Sequence, residues 1–256
     1  DQVRVYTYAR TPAQIAWEYN KGAPIAHYKM DECEGTTIYN SAPVPNNTAP
    51  GNDGTLVIGA GGEDTVGTCT TSSTAWYNGA TGKRNASMSF DGVDDYVYVT
   101  DTTNSPLDVT TNLTFSAWIK PSAVDAYEEI LSKIPSGYGS GYELANSTGT
   151  LRTTLRTSGG NCDYSKGGLT VSTWQQVVST YDGSNIKHYI NGVLQGTSAN
   201  CTYGSEANDQ NFMIADRPSA GVWNYDGQID DVRIFNYPLT SQQVKTEYNS
   251  GSIRFD

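Results

Sequence analysis

Trp174–Gln195 reads WQQVVSTYDGSNIKHYINGVLQ. Asp182-Gly183 and Asn191-Gly192 divide it into three short runs, each carrying Val, Ile, Leu or Tyr. An Asn-Gly pair between two such runs is the strongest short-range hairpin signal, because the turn that matches strand twist needs positive φ at both central residues. Antiparallel β structure is therefore expected here. On the N-terminal side, Asn112–Lys120 (NLTFSAWIK) puts Leu113, Phe115, Ala117 and Ile119 on one face, and Pro121 stops the run. Ala86–Phe90 and Tyr96–Thr100 flank a turn at Asp91–Asp95, and Gln228–Tyr237 reads as a closing strand. Helix signals are confined to two short segments near the ends. Short strands, frequent turns and little helix predict an all-β, two-sheet antiparallel jelly-roll sandwich with short terminal helices.

Those two helical segments belong to a repeated stretch. Asp1–Gly22 is DQVRVYTYARTPAQIAWEYNKG, and Asp230–Gly251 is DDVRIFNYPLTSQQVKTEYNSG. Without a gap they share Asp, Val, Arg, Tyr, Thr, Gln, Glu, Tyr, Asn and Gly, and pair Val5 with Ile234 and Tyr6 with Phe235. Thr11 with Gln14, and Thr240 with Gln243, each fit a capping box. Pro12 suits a first helical position, and Gly22 and Gly251 suit helix C-termini. A unit that recurs near both ends predicts that residues 1–24 are the closing strand and helix of a preceding copy, or a linker, and that 25–256 form one domain. Donation of Val3–Tyr8 to a neighbouring copy would give head-to-tail assembly through residues 1–22, although Gln228–Tyr237 already supplies that strand in this domain.

Lys+Arg 16 against Asp+Glu 27 gives a formal charge of -11. That balance repels phosphate backbones and anionic lipid, so neither nucleic acid nor direct membrane insertion is expected. Neutral ligands and divalent cations suit it better. Eighteen Tyr against five Phe is the bias of half-wet β surfaces. The four Cys lack CxxC spacing. Cys33–Cys69 and Cys162–Cys201, each bracketing a loop-rich region, are the expected disulfides and imply an oxidising, extracellular or cell-surface setting. Two other pairings, or four free thiols, are the alternatives.

The blocks IAHYKMDECEGTTIYNSA, SMSFDGVDDYVYV, LTFSAWIKP, WQQVVSTYDGSNIKHYINGVL and GQIDDVRIFNYPLTSQQVKTEYN follow one another from about Ile25 to Gly251. In that order they resemble a laminin-G-like domain, more specifically the concanavalin A-like lectin/glucanase domains repeated in large bacterial surface proteins. The resemblance implies a jelly roll with one concave and one convex face, frequent calcium binding and frequent sugar binding. In similar folds a structural calcium often joins the first and last strands. Asp31 and Asp230 suit that role, and Asp91 in the FDG turn is a third candidate ligand, since calcium takes hard oxygen donors. Asx turns at Asp91 and Asp94, and pairing of Asp230 with Arg233, are the bland alternatives.

A neutral glycan would need an aromatic platform with amides and carboxylates for its hydroxyls. Loop aromatics with such neighbours are Tyr138 and Tyr142 in PSGYGSGYE, and Trp223, Asn224, Tyr225 and Asp226 in GVWNYDG. Trp118 and Trp174 sit within strand patterns and read as core. Glucanase relatives use closely spaced acidic residues on one strand, and no such run occurs here. Glu128 and Glu129 are adjacent, so they would point to opposite sheet faces. His27 and His188 have no metal or nucleophile spacing nearby. The chain therefore reads as a non-enzymatic adhesion module whose partner is a cell-surface or matrix glycan. The alternative is a spacer repeat that contacts only neighbouring repeats.

Overall fold

A computed structural model describes residues 3–249 apart from 20–21, 44–51, 63–64, 73, 102–104, 136, 138, 203 and 219–222. The elements run α1 Pro12–Tyr19, β1 Ala26–Tyr28, β2 Thr37–Ile38, β3 Gly54–Val57, α2 Ala75–Asn78, β4 Met88–Asp91, β5 Tyr96–Val99, β6 Leu113–Pro121 and β7 Tyr127–Ser132. They continue with β8 Gly141–Ser147, β9 Thr150–Thr157, β10 Gly160–Gly168, β11 Gln175–Tyr181, β12 Ile186–Ile190, β13 Val193–Thr197, β14 Phe212–Ile214, β15 Asp226–Phe235 and α3 Ser241–Tyr248. Two antiparallel sheets form a sandwich. The seven-stranded sheet has the order β1-β15-β6-β11-β12-β13 with β4 also on β15, and the eight-stranded sheet has the order β10-β9-β8-β7-β14-β5-β3-β2.

The hairpin expected at Asn191-Gly192 forms, with φ of 52° and 74° at the two residues, as a primed turn requires. β6 alternates as its pattern predicts. Leu113, Phe115, Ala117 and Ile119 enter the inter-sheet core, and facing residues of β8 complete it. Tyr142 stacks on Phe115 with ring centroids 4.8 Å apart and hydrogen-bonds the Leu107 carbonyl at 3.0 Å. Its burial corrects its assignment to a binding loop. The loop ends at Ser140, and Tyr142 occupies an inward position of β8.

The outer face of the seven-stranded sheet is roofed by α3. Val244 packs with Val178, Tyr189, Phe235, Tyr237 and Leu239 in a second apolar cluster. Trp118 is buried on this outer side, stacked on Tyr248 at 5.6 Å beneath the Lys83 ammonium, and does not join the central core. A capping box at Thr240 and Gln243 starts α3. The same pair of bonds, at 3.0 and 3.3 Å, starts α1 at Thr11 and Gln14.

Both disulfides close. Cys33–Cys69 ties the segment after β1 to the loop before α2, and Cys162–Cys201 joins β10 of one sheet to the segment after β13 of the other. No helix among the described residues is long and apolar enough to cross a membrane.

Candidate functional site

The outer face of the eight-stranded sheet collects polar side chains by strand alternation. Tyr142 and Leu144 of β8 face the core, so Glu143 faces outward; likewise Leu151 and Leu155 of β9 leave Arg152, Thr154 and Arg156 outside. Together with Tyr127, Arg217 and Trp223 these residues line a cavity of about 170 Å³. Arg217 organises its floor. Its guanidinium holds Glu129 through Nε at 2.9 Å and Nη2 at 2.5 Å, and holds Glu143 through the same Nη2. All three side chains are buried. Burial and the neighbouring Glu143 push the Glu129 carboxyl well above its usual range. Burial would lower Arg217, but the two glutamates outweigh it and keep the cation charged.

Two aromatic rings stand against arginines here. Arg217 lies 4.3 Å from the Trp223 ring centroid, and Arg152 lies 5.6 Å from that of Tyr127. The Tyr127 hydroxyl donates to Glu143 at 2.5 Å, and the Thr154 hydroxyl lies 2.6 Å from Glu143 and 2.7 Å from Asp163. Burial alone would raise Asp163, yet hydrogen bonds from Arg152 and Thr154 hold it below its ordinary value. The result is a pocket with two ring edges and fixed, alternating donors and acceptors. On the same face, a second hollow of about 350 Å³ is lined by Tyr96, Tyr98, Asp209, Gln210, Asn211, Met213 and Pro218. Pro218 follows Arg217 directly, and β7 neighbours β14, so the two hollows sit on adjacent strands. A larger cleft of about 740 Å³ beside Asp31 and Glu32 has Tyr39 as the one aromatic among its described lining residues.

Of the expected glycan residues that the structure describes, Trp223 alone lines the pocket. Asn224 and Tyr225 are buried, Tyr225 fully, with its amide bonded to Ala215 at 2.9 Å. That overturns Tyr225 as an exposed platform: it is a core residue leading into β15. Asp226 is half-buried at the first position of β15, opposite Asp91. Tyr138 lies outside the described residues. Tyr127, Glu143, Arg152, Thr154, Arg156 and Arg217 were not anticipated. The alternation of Arg152, Thr154 and Arg156 within TLRTTLRT was the readable signal for half of them.

The three expected metal ligands separate into two places. β1 and β4 lie end to end along β15, and the register breaks between Asp230 and Arg233, where Asp231 has a φ of 55°. At that break Asp230 accepts the Arg84 amide at 2.7 Å, and Asp31 accepts the Ala86 amide at 3.1 Å. Asp231, rather than Asp230, pairs with the arginines, Arg84 at 2.9 Å and Arg233 at 3.0 Å, and hydrogen-bonds the His27 ring at 2.5 Å. Burial raises Asp230 to about 7, and its second oxygen has no donor.

Asp91 instead joins Asp94 and Asp95, with ligand oxygens within 4.8 Å of one another. Each of the three keeps one buried oxygen without a donor. The strand-end loop 59–62 closes over them, its amides at Gly59, Ala60 and Gly61 donating at 3.0–3.1 Å. Glycine is needed there: a Cβ at Gly59 would lie 1.9 Å from the Asp94 carboxyl carbon. Burial, with Asp91 and Asp94 nearby, lifts Asp95 to about 7. Three convergent carboxylates with orphaned oxygens fit a hard divalent cation such as calcium. The Asx turn also forms, with Asp91 accepting the Val93 amide at 2.8 Å.

Comparison with curated protein sequences finds no match. Solved structures share the fold. Domain 4 of AbnA, a GH43 extracellular arabinanase from Geobacillus stearothermophilus, in complex with arabinotriose, superposes with a TM-score of 0.61 at 19% identity, over 87% of this chain and 97% of that one. The binding domain of Paraclostridial Mosquitocidal Protein 1 gives 0.65 at 12% identity over 90% of this chain and 52% of that one. The botulinum neurotoxin serotype D ligand binding domain, in complex with N-acetylneuraminic acid, gives 0.59 at 16% identity over 92% and 52%. The chain thus spans about half the length of the latter two binding domains. The laminin-G-like family model described as concanavalin A-like lectin/glucanases superfamily matches residues 91–245, more than half of the sequence. The chain belongs to this laminin-G-like branch of the concanavalin A-like lectin/glucanases superfamily.

Proposed function

We propose that the chain is a non-catalytic, extracellular carbohydrate-binding module, with its site on the outer face of the eight-stranded sheet. The observation that carries this reading is the pocket floored by Arg217, Glu129 and Glu143 and edged by Tyr127 and Trp223. Rings supply apolar faces for a sugar, and the fixed donors and acceptors match hydroxyl groups that can do both. The neighbouring hollow at Tyr96 and Tyr98 extends the same surface, which favours an oligosaccharide over a single ring. That the arabinanase domain and the serotype D toxin domain were solved with sugars on the same fold agrees with this reading.

Hydrolysis is disfavoured by the same geometry. Glycosidases set two carboxyl groups on either side of the scissile bond. Here both glutamates grip one guanidinium, and Glu129 is fully buried. Calcium at Asp91, Asp94 and Asp95, and at Asp31 with Asp230, would serve as a structural ion.

The test is binding of the whole chain to arrayed arabino-, xylo- and β-gluco-oligosaccharides and sialylated glycans, with Trp223→Ala and Arg152→Ala alongside. Removing a stacking ring should weaken any hit by roughly fivefold, because an aromatic–ligand contact is worth on the order of 1 kcal/mol. Binding that survives both substitutions would place the site elsewhere. No binding to any glycan would leave the spacer repeat as the better reading.

A further inference from the structure

Residues 3–19 are a second edition of the unit that closes the domain, shifted by 229 positions (230 minus 1). The equivalence goes beyond sequence. α1 and α3 cover the corresponding eight residues, and each opens with the same Thr–Gln capping box. Within the first unit Arg4 pairs with Glu18 at 2.9 Å, and within the second Arg233 pairs with Glu247. Arg4 aligns with Arg233, and Glu18 with Glu247. The strand-to-helix clasp is thus reproduced.

What differs is the surroundings. Val232 and Ile234 are fully buried, both paired with β1 and Ile234 also with β6. Their counterparts Val3 and Val5 are 90% and 91% exposed, in a segment that pairs with no strand. Sequence chosen for the middle of a sheet stands in solvent, because its slot in this domain is already filled.

We infer that residues 3–19 complete a preceding copy of this domain: Val3–Tyr6 enters between that copy's β1 and β6 counterparts, and α1 roofs its outer face. The occupied surface is the seven-stranded sheet of that copy, at the place β15 and α3 hold in this domain. Successive domains would then follow with a period of 229 residues. Residues 20–25 alone separate the end of one copy's closing helix from the first strand of the next. This inference is independent of any sugar site.

A fusion tests it, with residues 25–229 joined directly in front of the complete chain. The upstream part lacks its own closing unit and can take only residues 3–19. Expected is an unfolding enthalpy about twice that of the single chain, in proportion to folded length, with the upstream part resistant to protease. Val3→Asp with Val5→Asp should unfold the upstream part alone and leave the single chain's melting temperature unchanged. A control fusion carrying residues 25–251 upstream shows that the linkage itself permits folding. If the control folds and the first fusion's upstream part does not, the inference is wrong; it is equally wrong if the double substitution changes nothing.

Discussion

Asp95 and Asp230 are carboxyls that burial raises to about 7 from an ordinary value of 3.8. Between about pH 4 and pH 7 the folded chain therefore binds more protons than the unfolded chain. Stability contributed by these groups is full below pH 4 and is lost as pH rises through 7. His188 acts oppositely: burial lowers it from 6.5 to about 4, so its neutral form loses stability as pH falls through that window. Two groups outweigh one. In chelator, the melting temperature should fall between pH 5.5 and pH 8. Added calcium, which needs the charged carboxylates, should flatten that fall. Asp95→Asn, which imitates the protonated form, should raise stability at pH 8 in chelator and remove the response to calcium. A chelated chain that grows steadily more stable up to pH 8 would count against the carboxyl assignments. The Arg217 cluster gives a second expectation at this scale. Arg217→Met leaves two buried glutamates without their cation, at a cost of roughly 3–5 kcal/mol in denaturant unfolding, whereas Lys187→Ala, which removes an exposed pair with Asp182, should change little.

Among the elements, the two closing units make a controlled comparison. Thr240→Ala removes the cap of a helix that roofs a sheet and should cost about 1 kcal/mol. Thr11→Ala removes the identical cap from α1, whose side-chain hydrogen bonds run within its own segment, and should leave the unfolding midpoint in place. Likewise Ile234→Ala should cost roughly 2–5 kcal/mol as a core truncation, and Val5→Ala less than about 0.5 kcal/mol as a surface change. Equal effects in both units would mean that residues 3–19 pack on this domain after all. The same elements show what a sequence can disclose. β6 and the β12–β13 hairpin were readable because alternation and Asn-Gly turn chemistry are local properties. Tyr142 was misread because a loop-to-strand boundary lies only two residues before it, and inward or outward facing depends on that register. The pocket was mostly hidden, since Tyr127, Glu143, Arg152 and Arg217 come from β7, β8, β9 and the segment after β14. No local pattern announces that pairing. Asp91 stands out in the FDG turn as a candidate ligand, but its neighbours Asp94 and Asp95 read as ordinary turn residues, and the glycines of 59–62 that close over them are distant in sequence.

For the molecule as a whole, the two sheets meet through one core and are joined covalently at Cys162–Cys201, while Cys33–Cys69 secures the longest loop region. Those bridges span 36 and 39 residues and do not overlap. A module stretched by its two ends would therefore keep both spans locked as it unravelled. Roughly 250 Å of backbone, at about 3.3–3.6 Å per extended residue, would stay out of reach of a pulling force until a reductant arrived. Single-molecule extension should show that length appearing only after reduction, so that thiol chemistry sets how far a tether built from this domain can reach.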